Sequence, residues 1–147
     1  MNYAIVLRLL SYILLTEGAL LLLPAVASLC YGEWFVMGVF LFTAALSALA
    51  GALFHRVKAK SQIFYMREGF VTTALCWLLI SVVGAVPFVL TGCIPNPVDA
   101  LFETVSGFTT TGSSILRDVE AMSYSMLFWR SFTHWVGGMG VLVFTMA

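Results

Sequence analysis

A chain of 147 residues that is 61% hydrophobic and 10% charged, with mean hydropathy +1.02, cannot cover itself with polar surface, since a soluble domain carries about 25% charged residues. Its solvent is lipid, and its length allows only a few spans of about 20 residues each. The net charge is zero and no basic tail is present, which excludes nucleic acid as a partner, while the lack of a nucleophile, metal cluster or acid/base pair at catalytic spacing speaks against an enzyme.

The first apolar stretch runs from about Leu9 to Tyr31, with Arg8 before it and Glu17 and Pro24 inside it. Leu20 to Leu23 followed by Pro24 and Ala25-Val26-Ala27 imitates a signal peptide. Glu17 within the run favours a retained transmembrane helix instead, bent or ended near Pro24, which lacks an amide donor. Arg8 and Glu17 fall on opposite helix faces and do not pair. The second stretch, Trp34 to Phe54, is an uncharged span whose Ala44, Ala48 and Ala52 are spaced to admit a close helix neighbour in lipid. The basic loop follows, His55 to Lys60 with Arg67 beyond it, and the positive-inside rule puts it and the N-terminus in the cytoplasm. A third span is expected from Gly69 to Thr91, with Pro87 near its outer end. A fourth begins near Ser123 and carries Arg130 and His134. In this topology the connector from Thr91 to Ser123 starts and ends outside. The cysteines Cys30, Cys76 and Cys93 lie far apart without CxxC spacing, so they signal no metal site; Cys30 and Cys93 both fall near the outer face, which permits a bridge without requiring one.

The connector is largely apolar in its middle. Asn96-Pro97-Val98-Asp99 reads as a helix start, with Asn96 as N-cap, Pro97 at the first helical position and Asp99 reaching back to a free amide. Leu101, Phe102, Val105 and Phe108 share one face, and Gly107 is the expected stop. A helix from Pro97 to Ser106 would be about 15 Å long, half a bilayer, a length typical of a re-entrant element. Thr109-Thr110-Thr111-Gly112-Ser113-Ser114 would then return in a non-helical conformation, which survives at membrane depth only when buried in protein or lining a watery cavity. Carbonyl oxygens of such a strand replace water around a cation, Gly112 allows close backbone approach, and the negative end of the short helix favours a cation there. The residues alone are equally compatible with a Ser/Thr-rich outer loop behind an amphipathic turn lying on the surface.

Two charges lie within apolar surroundings. Glu103 on the short helix and Arg130 on the last span fall at similar depths, about 9 Å from the outer ends of their helices, so a contact that braces the loop from behind is expected. The alternative, Arg130 snorkelling outward while Glu103 caps loop amides alone, stays open. His134, one turn beyond Arg130, is expected to be satisfied by a neighbouring helix, and Gly137, Gly138 and Gly140 are expected to be packing notches.

At these residues the chain resembles the Trk/Ktr/HKT superfamily of potassium transporters, most of all its bacterial TrkH branch. Phe102-Glu103-Thr104-Val105-Ser106-Gly107-Phe108-Thr109-Thr110-Thr111-Gly112 is similar to that family's first pore helix and filter. Arg67-Glu68-Gly69-Phe70, Gly84-Ala85-Val86-Pro87-Phe88 and Trp135-Val136-Gly137-Gly138-Met139-Gly140 match its flanking helices in order. The resemblance covers essentially the whole chain. It implies an all-α integral membrane fold: two N-terminal transmembrane helices over residues 1–60, then, over 61–147, one helix, re-entrant pore loop, helix unit with pore helix and filter at about 97–115.

The same resemblance implies that the backbone of Thr110, Thr111, Gly112 and Ser113 contributes to a potassium filter, supported by Glu103, Gly107, Thr109 and Arg130. Glycine at position 112 goes with potassium, and serine there with sodium-selective plant members. Potassium is then substrate, no cofactor is bound, and the setting is the bacterial inner membrane. Implied partners are lipid, the remaining pore units or other copies of the chain, a second full-length subunit in a homodimer, and a cytoplasmic nucleotide-binding regulatory subunit. Family members fuse four such units, so a fragment or truncated coding sequence is expected. The alternatives are a small channel built from four copies and a non-conducting membrane protein or assembly modifier.

Overall fold

The structure, a computed structural model, describes residues 3–57 and 66–146. The chain is an all-α membrane protein. Among the described residues, three stretches are long and apolar enough to cross a membrane: Tyr3–Tyr31, Trp34–His55 and Arg67–Leu90.

The first comprises two helices, α1 (Tyr3–Leu20) and α2 (Leu22–Tyr31), which meet at a turn at Leu21. The break follows from Pro24, whose missing amide leaves the Leu20 carbonyl without its helical partner. The helix starts at Tyr3 rather than Leu9, a turn and a half earlier than the apolar run, because its first turns are amphipathic rather than wholly apolar: Val6 and Leu10 are buried while Arg8 faces out. A left-handed Gly32 closes α2, with the Gly32 amide on Leu29 O at 3.3 Å and the Glu33 amide on Ser28 O at 2.9 Å. This pair of bonds caps the helix and turns the chain at once.

Helix α3 (Trp34–His55) runs back along α1. Their seam is made of small residues, but not all of the expected ones. Ala44 is buried, whereas Ala52 is exposed and Gly51 takes its place, since a Cβ at Gly51 would sit 3.1 Å from Ser11 O. Ser47 Oγ donates to Leu14 O at 2.7 Å across the seam. The basic loop expected after α3 falls largely on residues 58–65, outside the described residues.

Helix α4 (Met66–Leu90) carries Pro87 inside its last turn and packs on α1, α3 and the short α5 (Pro97–Phe108). Helix α6 (Tyr124–Met146) packs on α2 and α5. The core gathers where these helices converge: Leu21, Phe40, Phe88, Ala100, Met126 and Trp129 are buried together. Trp129 is central, its indole N–H donating to Gly84 O at 3.0 Å and its ring edge-on to Phe40 and Phe108. A buried indole needs such an acceptor, and here it ties α6 to α4 directly behind the end of α5. The three cysteines are free.

Candidate functional site

Helix α5 begins as its sequence dictates, with Asn96 Oδ1 accepting the Val98 amide at 3.1 Å and Pro97 in the first turn. It does not stop at Gly107. The helix runs on to Phe108, and Gly107 serves packing instead: a Cβ there would collide with the Thr133 hydroxyl of α6. The stop is a capping motif around Thr110, which takes φ +57. The Thr110 amide bonds Gly107 O at 2.9 Å and the Thr111 amide bonds Ser106 O at 3.0 Å. That is the arrangement Gly32 makes at the end of α2, but with a β-branched residue where glycine is usual. The unfavourable backbone is held by the Thr110 hydroxyl on Thr109 O at 2.7 Å.

The expected apolar face of α5 is split. Phe102 and Val105 are exposed, Leu101 is half-buried, and Phe108 is buried. The face against the protein carries Ala100, Glu103, Thr104, Ser106 and Gly107. Small and polar residues turn inward because the segment after the helix needs hydrogen-bond partners there.

Glu103, 2% exposed, is the centre of that arrangement. Its carboxylate accepts Ser114 Oγ at 3.0 Å on each oxygen, the Ile115 amide at 3.1 Å, and Arg130 Nε at 2.6 Å. The pairing with Arg130 and the capping of loop amides therefore occur together, not as alternatives. Ser106 Oγ donates to Ser113 O at 2.6 Å, and Thr109 and Thr111 share a hydroxyl contact of 2.8 Å. Arg130 is placed by α6, where Gly137 lets the helix touch the end of α5: a Cβ at Gly137 would lie 2.6 Å from the carbonyl carbon of Phe108. Gly138 and Gly140 are not notches of this kind, since a Cβ at Gly140 would meet nothing within 4 Å and one at Gly138 only a Thr110 methyl at 3.8 Å. His134 is satisfied within its own helix, its Nδ1 being 2.9 Å from Arg130 O, rather than by a neighbour.

Residues 109–115 are exposed. The carbonyl oxygens of Thr110, Thr111 and Gly112 accept no hydrogen bond from the described residues, whereas that of Ser113 is engaged by Ser106. Positive φ at Thr110 and at Gly112 (φ +77), and not at Thr111 between them, alternates the backbone hand along this run. A groove of about 140 Å³ lies alongside, lined by Phe102, Val105, Ser106, Thr109, Thr111 and Ser113. The site is thus a short irregular, exposed segment, braced from inside through side chains, with three carbonyls that accept no hydrogen bond from the described residues.

The model of the TrkH cation transport protein family matches residues 36–147. The chain belongs to that family. It is 35% identical over 138 residues to an uncharacterized cation transporter of Methanocaldococcus jannaschii, covering 94% of this chain and 29% of that protein. It is 30% identical over 152 residues to the Trk system potassium uptake protein TrkH of Halomonas elongata, covering 100% of this chain and 31% of that protein. Against the Trk system potassium uptake protein TrkG of Escherichia coli the identity is 32% over 125 residues, 84% of this chain and 26% of that protein. The chain therefore spans about 30% of the length of the curated relatives it matches.

Glu33 and Trp129 carry no role in the sequence reading, although both touch this architecture. For Trp129 a signal existed, since a tryptophan in an apolar helix needs an acceptor. Glu33 had none.

Proposed function

We propose that the chain provides the first of four filter loops of a Trk-type potassium uptake pathway. The observation that carries this reading is the run of three carbonyls at Thr110, Thr111 and Gly112 that accept no hydrogen bond from the described residues, followed directly by the Ser114–Ile115 backbone that Glu103 and Arg130 hold. Bare backbone oxygens in a row can replace the hydration shell of a cation. The negative end of α5 lies next to them and adds to the attraction. In this reading Ser113 contributes less than its three predecessors, because its carbonyl already accepts the Ser106 hydroxyl.

Names of relatives support the ion: two of those above are potassium uptake proteins of the Trk system. The proposal extends to the re-entrant placement of residues 97–115 in the bilayer, the division into an N-terminal pair of helices (1–60) and a filter unit (61–147), a cytoplasmic N-terminus, and a transport rather than enzymatic role. It also includes a homodimer with a cytoplasmic nucleotide-binding regulatory subunit in the bacterial inner membrane. Expression from the complete native reading frame in a bacterium lacking its own potassium uptake tests the core of it. Growth at low potassium should be restored, and Gly112→Asp should abolish it while the protein still reaches the membrane. Restoration that survives Gly112→Asp would rule the filter reading out.

A further inference from the structure

Helix α6 starts at Tyr124, and Ser123 stands at its N-cap position, with its carbonyl already accepting the Leu127 amide at 3.0 Å. A serine there normally turns its hydroxyl onto the free amides of the first turn. It does not. The Ser123 hydroxyl oxygen is buried without a hydrogen-bond partner among the described residues. The cap comes instead from Glu33, which lies far away in the sequence, in the turn between α2 and α3. Its carboxylate accepts the Tyr124 amide at 3.1 Å, the Ser125 amide at 3.2 Å, and the Ser125 hydroxyl. Glu33 occupies the N-cap position of α3 itself, yet makes no side-chain cap there. The left-handed Gly32 next to it fixes the turn that aims it, and Tyr31 stacks on Tyr124 with ring centroids 4.8 Å apart.

A carboxylate at a helix N-terminus meets both the free amides and the positive end of the dipole. Here it also ties the end of α6 to a different part of the chain. Arg130 lies five residues beyond Ser125, about 7.5 Å along the same rod, and holds Glu103, which in turn holds the Ile115 amide and Ser114.

We propose that Glu33 is a positioning residue for the ion pathway: by capping α6 from the α2–α3 turn it sets where Arg130 stands, and so keeps Glu103 on the Ser114–Ile115 backbone. The N-terminal helices are then part of the device that shapes the filter segment, not an appendage to it. The consequence for selectivity rests on the potassium reading above; the mechanical coupling does not.

Two variants separate positioning from simple helix stabilisation. Glu33→Ala removes cap and tether together, and Glu33→Ala with Ser123→Asp restores a cap from within α6 but not the tether. Hydrogen exchange of the full protein in detergent reads residues 124–127 and 113–116, alongside potassium and sodium flux in liposomes. Glu33→Ala should speed exchange in both segments, on the order of tenfold at 124–127, and reduce discrimination between the two ions. Adding Ser123→Asp should restore protection at 124–127 while 113–116 stays fast and discrimination stays low. Recovery of both segments by Ser123→Asp, or unchanged exchange at 113–116 in Glu33→Ala, would overturn the proposal. Should Glu33→Ala fail to fold, Glu33→Gln, which keeps one acceptor, replaces it with the same criteria. Absence of potassium flux in the unaltered protein would sink the potassium reading, and the exchange data would still decide the coupling.

Discussion

Of the buried carboxylates, Glu103 at 2% exposure and Glu17 at 4% have opposite surroundings. Glu103 has Arg130, Ser114 and the Ile115 amide within hydrogen-bond distance. Both oxygens of Glu17 lack any partner among the described residues, and its side chain lines an apolar cavity of about 230 Å³ with Thr16, Trp77, Phe108, Trp129 and Gly137. The difference separates a polar group that organises backbone from one that merely tolerates its place. A buried network is worth having when every member is satisfied; around α5 the satisfied members are what hold residues 109–115 in a non-helical path. Several other buried hydroxyls bond within their own helices, as Ser28 does to Pro24 O and Thr43 to Val39 O.

That contrast can be broken by mutation. Glu103→Ala should have the largest effect, because it strands the Arg130 guanidinium and frees the Ile115 amide; about 3–5 kcal/mol of stability is expected to be lost. Thermal unfolding in detergent reads this, and a double-mutant cycle with Arg130→Ala should return a coupling of about 1–3 kcal/mol. Additive single effects would dissolve the network. Gly137→Ala comes next, since its methyl would meet the Phe108 backbone, which cannot step aside as a side chain would. A loss of about 1–3 kcal/mol is expected, against a change within about 0.5 kcal/mol for Gly140→Ala, where the space is open. Equal effects at the two glycines would mean that α6 does not touch the end of α5. Glu17→Leu should do least, leaving stability unchanged or slightly raised, because it removes an unpartnered polar group and fills part of an apolar cavity. A collapse of the fold on Glu17→Leu would show that Glu17 is held by a partner and would cancel the comparison.

Much of the fold was legible because lipid-facing helices announce themselves as long uncharged runs, and the break before Pro24 follows from one missing amide. Matching depths on α5 and α6 put Glu103 opposite Arg130, and the two are in contact. The errors have physical causes. Gly107 read as a stop because glycine is the usual left-handed closing residue, but Thr110 takes that conformation and Gly107 is spent on close contact with Thr133. The apolar stripe of α5 makes a single face in the sequence, whereas the protein buries the polar side of that helix and leaves Phe102 and Val105 outside. Glu33 could not be read at all: its partners are remote in sequence, and Ser123 beside them offers a local cap that is not used.

The central claim is that the bare carbonyls at Thr110, Thr111 and Gly112 select a cation. Purified protein from the complete reading frame, reconstituted in liposomes, should pass potassium in preference to sodium, and Gly112→Ser should reduce that preference without abolishing flux. A preference for potassium that is unchanged by Gly112→Ser would contradict the account.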